Sequence, residues 1–196
     1  MTRKNEQTDK RIRILEALNR CLQEKPFSQT SIKDIARAAG VNHGLLHYYF
    51  KSKEDILINY IDYVIYHYKA IFEEWLTDKR REGLNQKPLV DAFFAFMNDR
   101  ITLNRQLSKV FIEIWEIGAY DKAVRQKLQT AYTAWMTALS DILSDGTSDD
   151  RTTRRMSTAI IAFLEGISLF SIILDPEQFD CQDVLTGFQA RILEML

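Results

Sequence analysis

Apolar residues recur at spacings of three and four along almost the whole chain, and only three prolines and seven glycines interrupt them in 196 residues. An α-helix repeats every 3.6 residues and a strand every two, so this spacing predicts helices throughout and no strand. Stop and start residues divide the pattern into about nine helices. Expected spans are Thr8 to Glu24, a short helix capped by Thr30 or Ser31 and stopped by Gly40, and a third from Asn42 to Phe50. A very long fourth helix runs from Lys53 to Arg81. A fifth follows from Pro88 to Leu103, then Gln106 to Ile117 broken by Gly118, then Asp121 to Leu143. A polar loop over Ser144 to Asp150 leads to helices from Asp150 to Leu174 and from Cys181 to Leu196.

Hydrophobic residues at 46% and charged residues at 27% are ordinary for a globular protein and exclude a disordered or fibrous class. The two cysteines, Cys21 and Cys181, lie far apart inside apolar stretches, which points to reduced thiols. No charged stretch followed by an apolar one opens the chain, so no secretory leader is read and a cytoplasmic location is expected. The longest apolar run, Ala159 to Leu174, is interrupted by Glu165, Gly166 and two serines and is read as a buried helix. Charge is uneven beneath the net value of -1. Residues 1–55 carry eleven Lys or Arg against seven acids, and residues 56–196 carry fifteen against twenty. A basic head on an acidic body suits a local anionic partner such as DNA.

The segment from Ser31 to Leu57, SIKDIARAAGVNHGLLHYYFKSKEDIL, holds two short helices joined by a glycine-containing turn. That is what a helix-turn-helix requires, with its second helix entering the major groove. Ile32, Ile35, Ala36 and Ala39 are expected inside, Gly40 permits the turn, and Val41, Leu46, Tyr49 and Phe50 hold the next helix in place. This leaves Asn42, His43, Gly44, Leu45, His47 and Tyr48 pointing outward, and solvation alone is a poor reason to expose a leucine and a tyrosine among two histidines. Leu45 suits a thymine methyl, and His43 or His47 a phosphate or base edge.

Those residues resemble the signature of the TetR family of bacterial transcriptional repressors. The matching elements are Asp34-Ile35-Ala36, Ala39-Gly40-Val41, Asn42, Gly44, Tyr49-Phe50 and Ser52-Lys53-Glu54, over roughly residues 8 to 57. Leu45 stands where the family often has a small residue, and His47 where it commonly has a tyrosine that touches phosphate. The resemblance implies an all-α fold: a helix-turn-helix DNA-binding domain over residues 1–52 and a helical effector-binding and dimerisation domain over residues 53–196. It also implies a phosphate contact at Lys53, with Thr30, Ser31, Lys33 and Arg37 flanking the same surface.

Behind the head, large aromatics accumulate on the fourth to seventh helices. In a family-like arrangement some of them surround an effector cavity, the candidates being Tyr66, Phe93, Phe96, Phe111, Trp115, Tyr132 and Trp135, although ordinary core packing explains most aromatics in such a pattern. Lys109, Glu113 and Glu116 share one helical face and are read as a solvated stripe. Glu165 lies on a line with Arg151, Arg155 and Thr158 and is read as part of a polar edge. The region from Phe111 onward resembles the BetI branch of the family more loosely. That resemblance implies a homodimer through the last two helices, at Ile160, Phe163, Leu164, Ile167, Phe170, Phe188, Ile192 and Met195.

The three histidines have no carboxylate or cysteine cluster at ligand spacing, so no metal and no cofactor are expected. The resulting expectation is a repressor that binds double-stranded operator DNA and is released by a small-molecule effector. The alternatives are a helical enzyme using the aromatic cavity, for which no nucleophile–base pair, metal cluster or phosphate loop is present, and a helix-turn-helix scaffold.

Overall fold

The computed structural model describes residues 3–144 and 149–196, with side-chain surroundings from residue 8 onward. Among them, nine α-helices form in the expected order and no strand. They are α1 (Arg3–Glu24), α2 (Ile32–Ala39), α3 (His43–Tyr49), α4 (Lys53–Arg81), α5 (Gln86–Met97), α6 (Arg105–Tyr120), α7 (Lys122–Leu143), α8 (Asp150–Ile173) and α9 (Cys181–Met195). A 3-10 turn, Phe27–Gln29, precedes α2, and a π-helical turn, Asn98–Thr102, follows α5. The polar loop expected over Ser144 to Asp150 falls largely outside the described residues.

Several boundaries differ from the sequence expectation for local reasons. The helix α1 starts at Arg3 rather than Thr8. Gly118 does not break α6: it is buried within the helix, which runs on to Tyr120 before Asp121 caps α7 by accepting the Val124 N–H at 2.9 Å. Arg125 then donates to the carbonyls of Gly118 and Ala119, supplying a cation at the C-terminal end of α6. Pro88 sits in the first turn of α5, where its missing N–H has no intrahelical partner to lose. That helix gives way to the π-turn before reaching Leu103.

The chain packs as two units, Met1–Ala70 with Lys109–Lys127, and Ile71–Ser108 with Leu128–Leu196. In the first, Ile14, Leu18, Ile35, Leu46, Phe50, Ile56, Tyr60 and Ile61 are all but inaccessible to solvent. The Tyr60 hydroxyl is satisfied by Asn19 Oδ1 at 2.6 Å.

In the second unit, Leu89, Val90, Phe93, Phe94, Leu139, Ile142, Ile160, Leu164, Leu185 and Ile192 belong to one buried cluster. This corrects part of the expected dimer surface. Ile160, Leu164, Ile167 and Ile192 are buried in the chain's own core and have nothing left to offer a partner. Phe163 and Phe188 stack on each other at 3.7 Å and are half-buried, while Phe170 and Met195 are exposed. The face of α8 left uncovered instead carries Ala159, Ala162, Phe170 and Ile173. Among the described residues, α8 is the one helix long and apolar enough to cross a membrane, but its repeat of buried Ile160, Leu164 and Ile167 is that of a helix half covered by its own chain.

The expected aromatic cavity residues are dispersed. Phe93 and Phe96 are buried and pack with Phe72 and Trp75 as ordinary core. Tyr132 meets Trp135 edge-on at 5.1 Å. In the first unit, Phe111 lies between Tyr68 and Trp115. Tyr66 is 75% exposed on α4 and lines nothing there, which removes it from the candidate set.

Glu165 is not part of a solvated edge. Tyr132 donates its hydroxyl to Glu165 Oε1 at 2.7 Å, and desolvation of the carboxyl raises its pKa to about 7 in spite of that hydrogen bond. In the unfolded chain the group titrates near its ordinary value of about 4.3, so the folded state resists its ionisation. The contribution of Glu165 to stability is therefore greatest below about pH 4.5 and is lost as pH rises to about 7. Glu165→Gln is expected to raise the melting temperature at pH 8, by a change on the order of 2–3 kcal/mol, and to leave it nearly unaltered at pH 4.5. Parallel thermal melts at the two pH values check this, and equal shifts at both would refute it.

Candidate nucleic-acid interface

The helix pair that would meet DNA is built from local hydrogen bonds. Ser31 opens α2 with a capping box: its hydroxyl accepts the Asp34 N–H at 3.1 Å, and the Asp34 carboxylate accepts the Ser31 N–H at 3.0 Å. Lys25 adds an ion pair to Asp34 at 2.8 Å. Lys25 and the Ser31 donors together hold the Asp34 carboxyl well below the usual carboxylate range. Gly40 ends the helix in the left-handed conformation, φ 64° and ψ 36°, which a residue without Cβ adopts freely. Arg13 and Arg20, from α1, donate to the carbonyls of Ala39 and Ala38 at 3.1 and 2.7 Å. Two of the head's cations thus serve the C-terminal end of α2 rather than a ligand.

Asn42 caps α3, its Oδ1 accepting the Leu45 N–H at 2.7 Å. Leu46 and Phe50 anchor the helix inward at 0% and 1% exposure. The opposite face is open. Asn42, His43, Gly44, His47 and Tyr48 are all exposed, Tyr48 by 70%, and Leu45 is half-buried at its edge. His43 and His47 sit one turn apart with their rings edge-on at 4.5 Å, so both present to the same side. A Cβ on Gly44 would approach only Asn42 Oδ1, at 3.5 Å, so the open surface there is not imposed by crowding within the chain.

The flanking candidates divide. Ser31, Lys33 and Arg37 are exposed around the N-terminal and outer sides of α2, Arg37 lying 3.5 Å from Asp34. Thr30 is not on that surface: it is 1% exposed and donates its hydroxyl to the Pro26 carbonyl at 3.1 Å, which removes it as a phosphate contact. The Lys53 ammonium is turned into the protein, donating to the Phe27 carbonyl at 2.9 Å and lying 4.2 Å from the centre of the Phe27 ring. It holds the 3-10 turn to the start of α4. The same turn is met from α6, where Glu113 Oε2 accepts the Phe27 N–H at 2.9 Å. Glu113 is thus not part of a solvated stripe. The sequence signal for this was slight: Lys109 and Glu113, four residues apart on one face, with Lys109 also reaching the Gln23 carbonyl at 3.4 Å.

A family model described as bacterial regulatory proteins, tetR family, matches residues 14–60, and one described as BetI-type transcriptional repressor, C-terminal, matches residues 88–194. The chain is 24% identical over 139 residues to the fatty acid metabolism regulator protein of Bacillus subtilis (strain 168), covering 70% of this chain and 68% of that one. It is 37% identical over 57 residues to the HTH-type transcriptional regulator EthR of Mycolicibacterium smegmatis, a match spanning 29% of this chain and 26% of that one. In fold it is similar to a TetR transcription regulator from Haloarcula marismortui, with a TM-score of 0.76 at 17% identity over 96% and 98% of the two chains. It is likewise similar to FadR from Bacillus subtilis in complex with stearoyl-CoA, with a TM-score of 0.65 at 21% identity over 94% and 96%. With both ends matched, the second over more than half its length, the chain belongs to the TetR family of bacterial regulatory proteins.

Proposed function

We propose that α3 reads the major groove of a pseudo-palindromic operator through Asn42, His43, Gly44, Leu45, His47 and Tyr48, with Ser31, Lys33 and Arg37 on the adjacent phosphates. As a member of its family the chain is a DNA-binding transcriptional repressor and not an enzyme, and it acts as a dimer under the control of a small-molecule effector. The observation that carries the reading is the open outer face of α3, anchored from behind by Leu46 and Phe50. A two-fold dimer places two such helices in successive major grooves about 34–36 Å apart. Residues 1–52 do the reading in this scheme, residues 53–196 carry the effector and dimer functions, and the protein works in the cytoplasm.

The effector acts by preferring a separation of the two heads that DNA does not, transmitted through a tilt of α4. For its chemistry, the likeness to a fatty acid metabolism regulator and to a FadR bound to stearoyl-CoA favours a long-chain acyl thioester. Gel shifts with a palindrome from the gene's own upstream region are expected to show specific, salt-sensitive binding that Tyr48→Ala weakens with the fold intact. Stearoyl-CoA is the first compound to test for release. Binding no better than to random duplex sinks the operator reading, and retention in the presence of stearoyl-CoA sinks the acyl-thioester reading alone.

A further inference from the structure

None of the three residues of the 3-10 turn Phe27–Gln29 is buried, yet this turn decides where α2 begins, because Thr30 and the cap residue Ser31 follow it directly. A segment with so little burial is held in place by its hydrogen bonds, and here they converge on one residue. Phe27 donates its N–H to Glu113 at 2.9 Å, and its carbonyl accepts from Lys53 Nζ at 2.9 Å and from the Thr30 N–H at 3.0 Å. The Lys53 ammonium also covers the ring. One turn earlier on α6, Lys109 reaches the Gln23 carbonyl at 3.4 Å, at the end of α1. A cleft of about 480 Å³ lined by Pro26, Phe27, Glu113, Ile117 and Tyr120 lies against the turn, so packing does not fix it on that side.

We infer that Glu113 is a positioning residue for DNA recognition: through the Phe27 amide it ties α6 to the base of α2 and makes α6 a second lever on the reading head beside α4. The chain of contacts is continuous. Glu113 holds the Phe27 N–H, the Phe27 carbonyl holds Thr30, and Ser31 beyond it caps α2 through Asp34, which Lys25 holds from the end of α1. Displacing α6 by little more than about half an ångström breaks a 2.9 Å hydrogen bond and frees the turn, because such a bond is lost by about 3.5 Å. What matters is an acceptor at the right reach, rather than the negative charge. This inference rests on the reading of α3 and α2 as the DNA-contacting pair.

Three full-length variants separate reach from charge. Glu113→Ala removes the acceptor, Glu113→Asp keeps the charge but shortens the arm by one methylene, and Glu113→Gln keeps an acceptor at full length without the charge. Operator affinity is read by fluorescence anisotropy, amide hydrogen exchange at Phe27 by NMR, and fold by circular dichroism melts. Glu113→Ala and Glu113→Asp are expected to weaken operator binding about tenfold and to speed exchange at Phe27, while Glu113→Gln restores both to within about threefold of the wild type. Should the alanine variant fail to fold, the aspartate variant carries the same test. Wild-type affinity in the alanine and aspartate variants overturns the inference while leaving the operator reading intact, and so does a glutamine variant as weak as alanine. A wild type that ignores its operator overturns both.

Discussion

Replacing Phe50 by alanine is expected to cost about 3–5 kcal/mol and to abolish operator binding, making it the most damaging single truncation in the head. Phe50 is 1% exposed at the C-terminal end of α3, where its N–H closes the last turn on the Leu46 carbonyl at 3.0 Å. The Arg11 guanidinium lies 5.2 Å from the ring centre and adds a cation–π contact from α1. Removing the ring leaves a void between elements too short to be stable alone, since α2 has eight residues and α3 seven. Urea denaturation followed by circular dichroism measures the loss, and gel shifts at a temperature where the variant is still folded measure what remains of binding. A loss under about 1 kcal/mol would show that tertiary packing does not hold α3, and the account of its exposed face would fall with it.

The second large effect concerns pairing. Gly166→Glu together with Ile173→Glu is expected to leave the subunit folded, to convert the dimer to a monomer, and to lower operator affinity by at least about a hundredfold. Ile173 is 65% exposed, and a Cβ on Gly166 would meet nothing within 4 Å, so neither change strains the isolated chain. With Ala162 and Phe170 these positions form one stripe along α8, at spacings of three and four. In a family that acts as dimers, an apolar stripe left open is where a two-fold partner is expected to sit, and two carboxylates per copy would then meet their own images. The affinity falls because a dimer binds its second half-site at a high effective concentration, which a monomer forfeits. Sedimentation velocity gives the mass, and anisotropy with full and half operators gives the affinity. A dimer that survives both charges assigns the pairing surface elsewhere.

The parts of the head that were legible in the sequence share one property. A hydroxyl cap on α2 from Thr30 or Ser31, the left-handed Gly40, the Asn42 cap of α3 and the full span of α4 from Lys53 to Arg81 all depend on residues within about four positions of each other. So does the separation of Leu46 and Phe50 from His43, His47 and Tyr48, which the helical repeat alone decides. The surface positions that changed meaning did so because of distant partners. Lys53 has the expected place at the start of α4, but its ammonium found the carbonyl of Phe27, 26 residues away. Glu113 looked solvated beside Lys109 until the Phe27 amide, 86 residues away, closed on it.

The last two helices show the same division from the apolar side. Their periodicity established that one face of α8 is buried, but a repeat of Ile160, Leu164 and Ile167 reads identically whether a helix packs on its own chain or on a second copy. Local sequence therefore determined the helices, their caps and the outward face of α3, because hydrogen bonds and side-chain directions within one or two turns follow from composition and spacing. Tertiary structure decided which apolar face is spent inside the subunit, why the Glu165 carboxyl resists ionisation until near neutrality, and which charges of the head hold it together. Those outcomes depend on partners brought together from far along the chain and on how much water they exclude, and neither is encoded in any short window of residues.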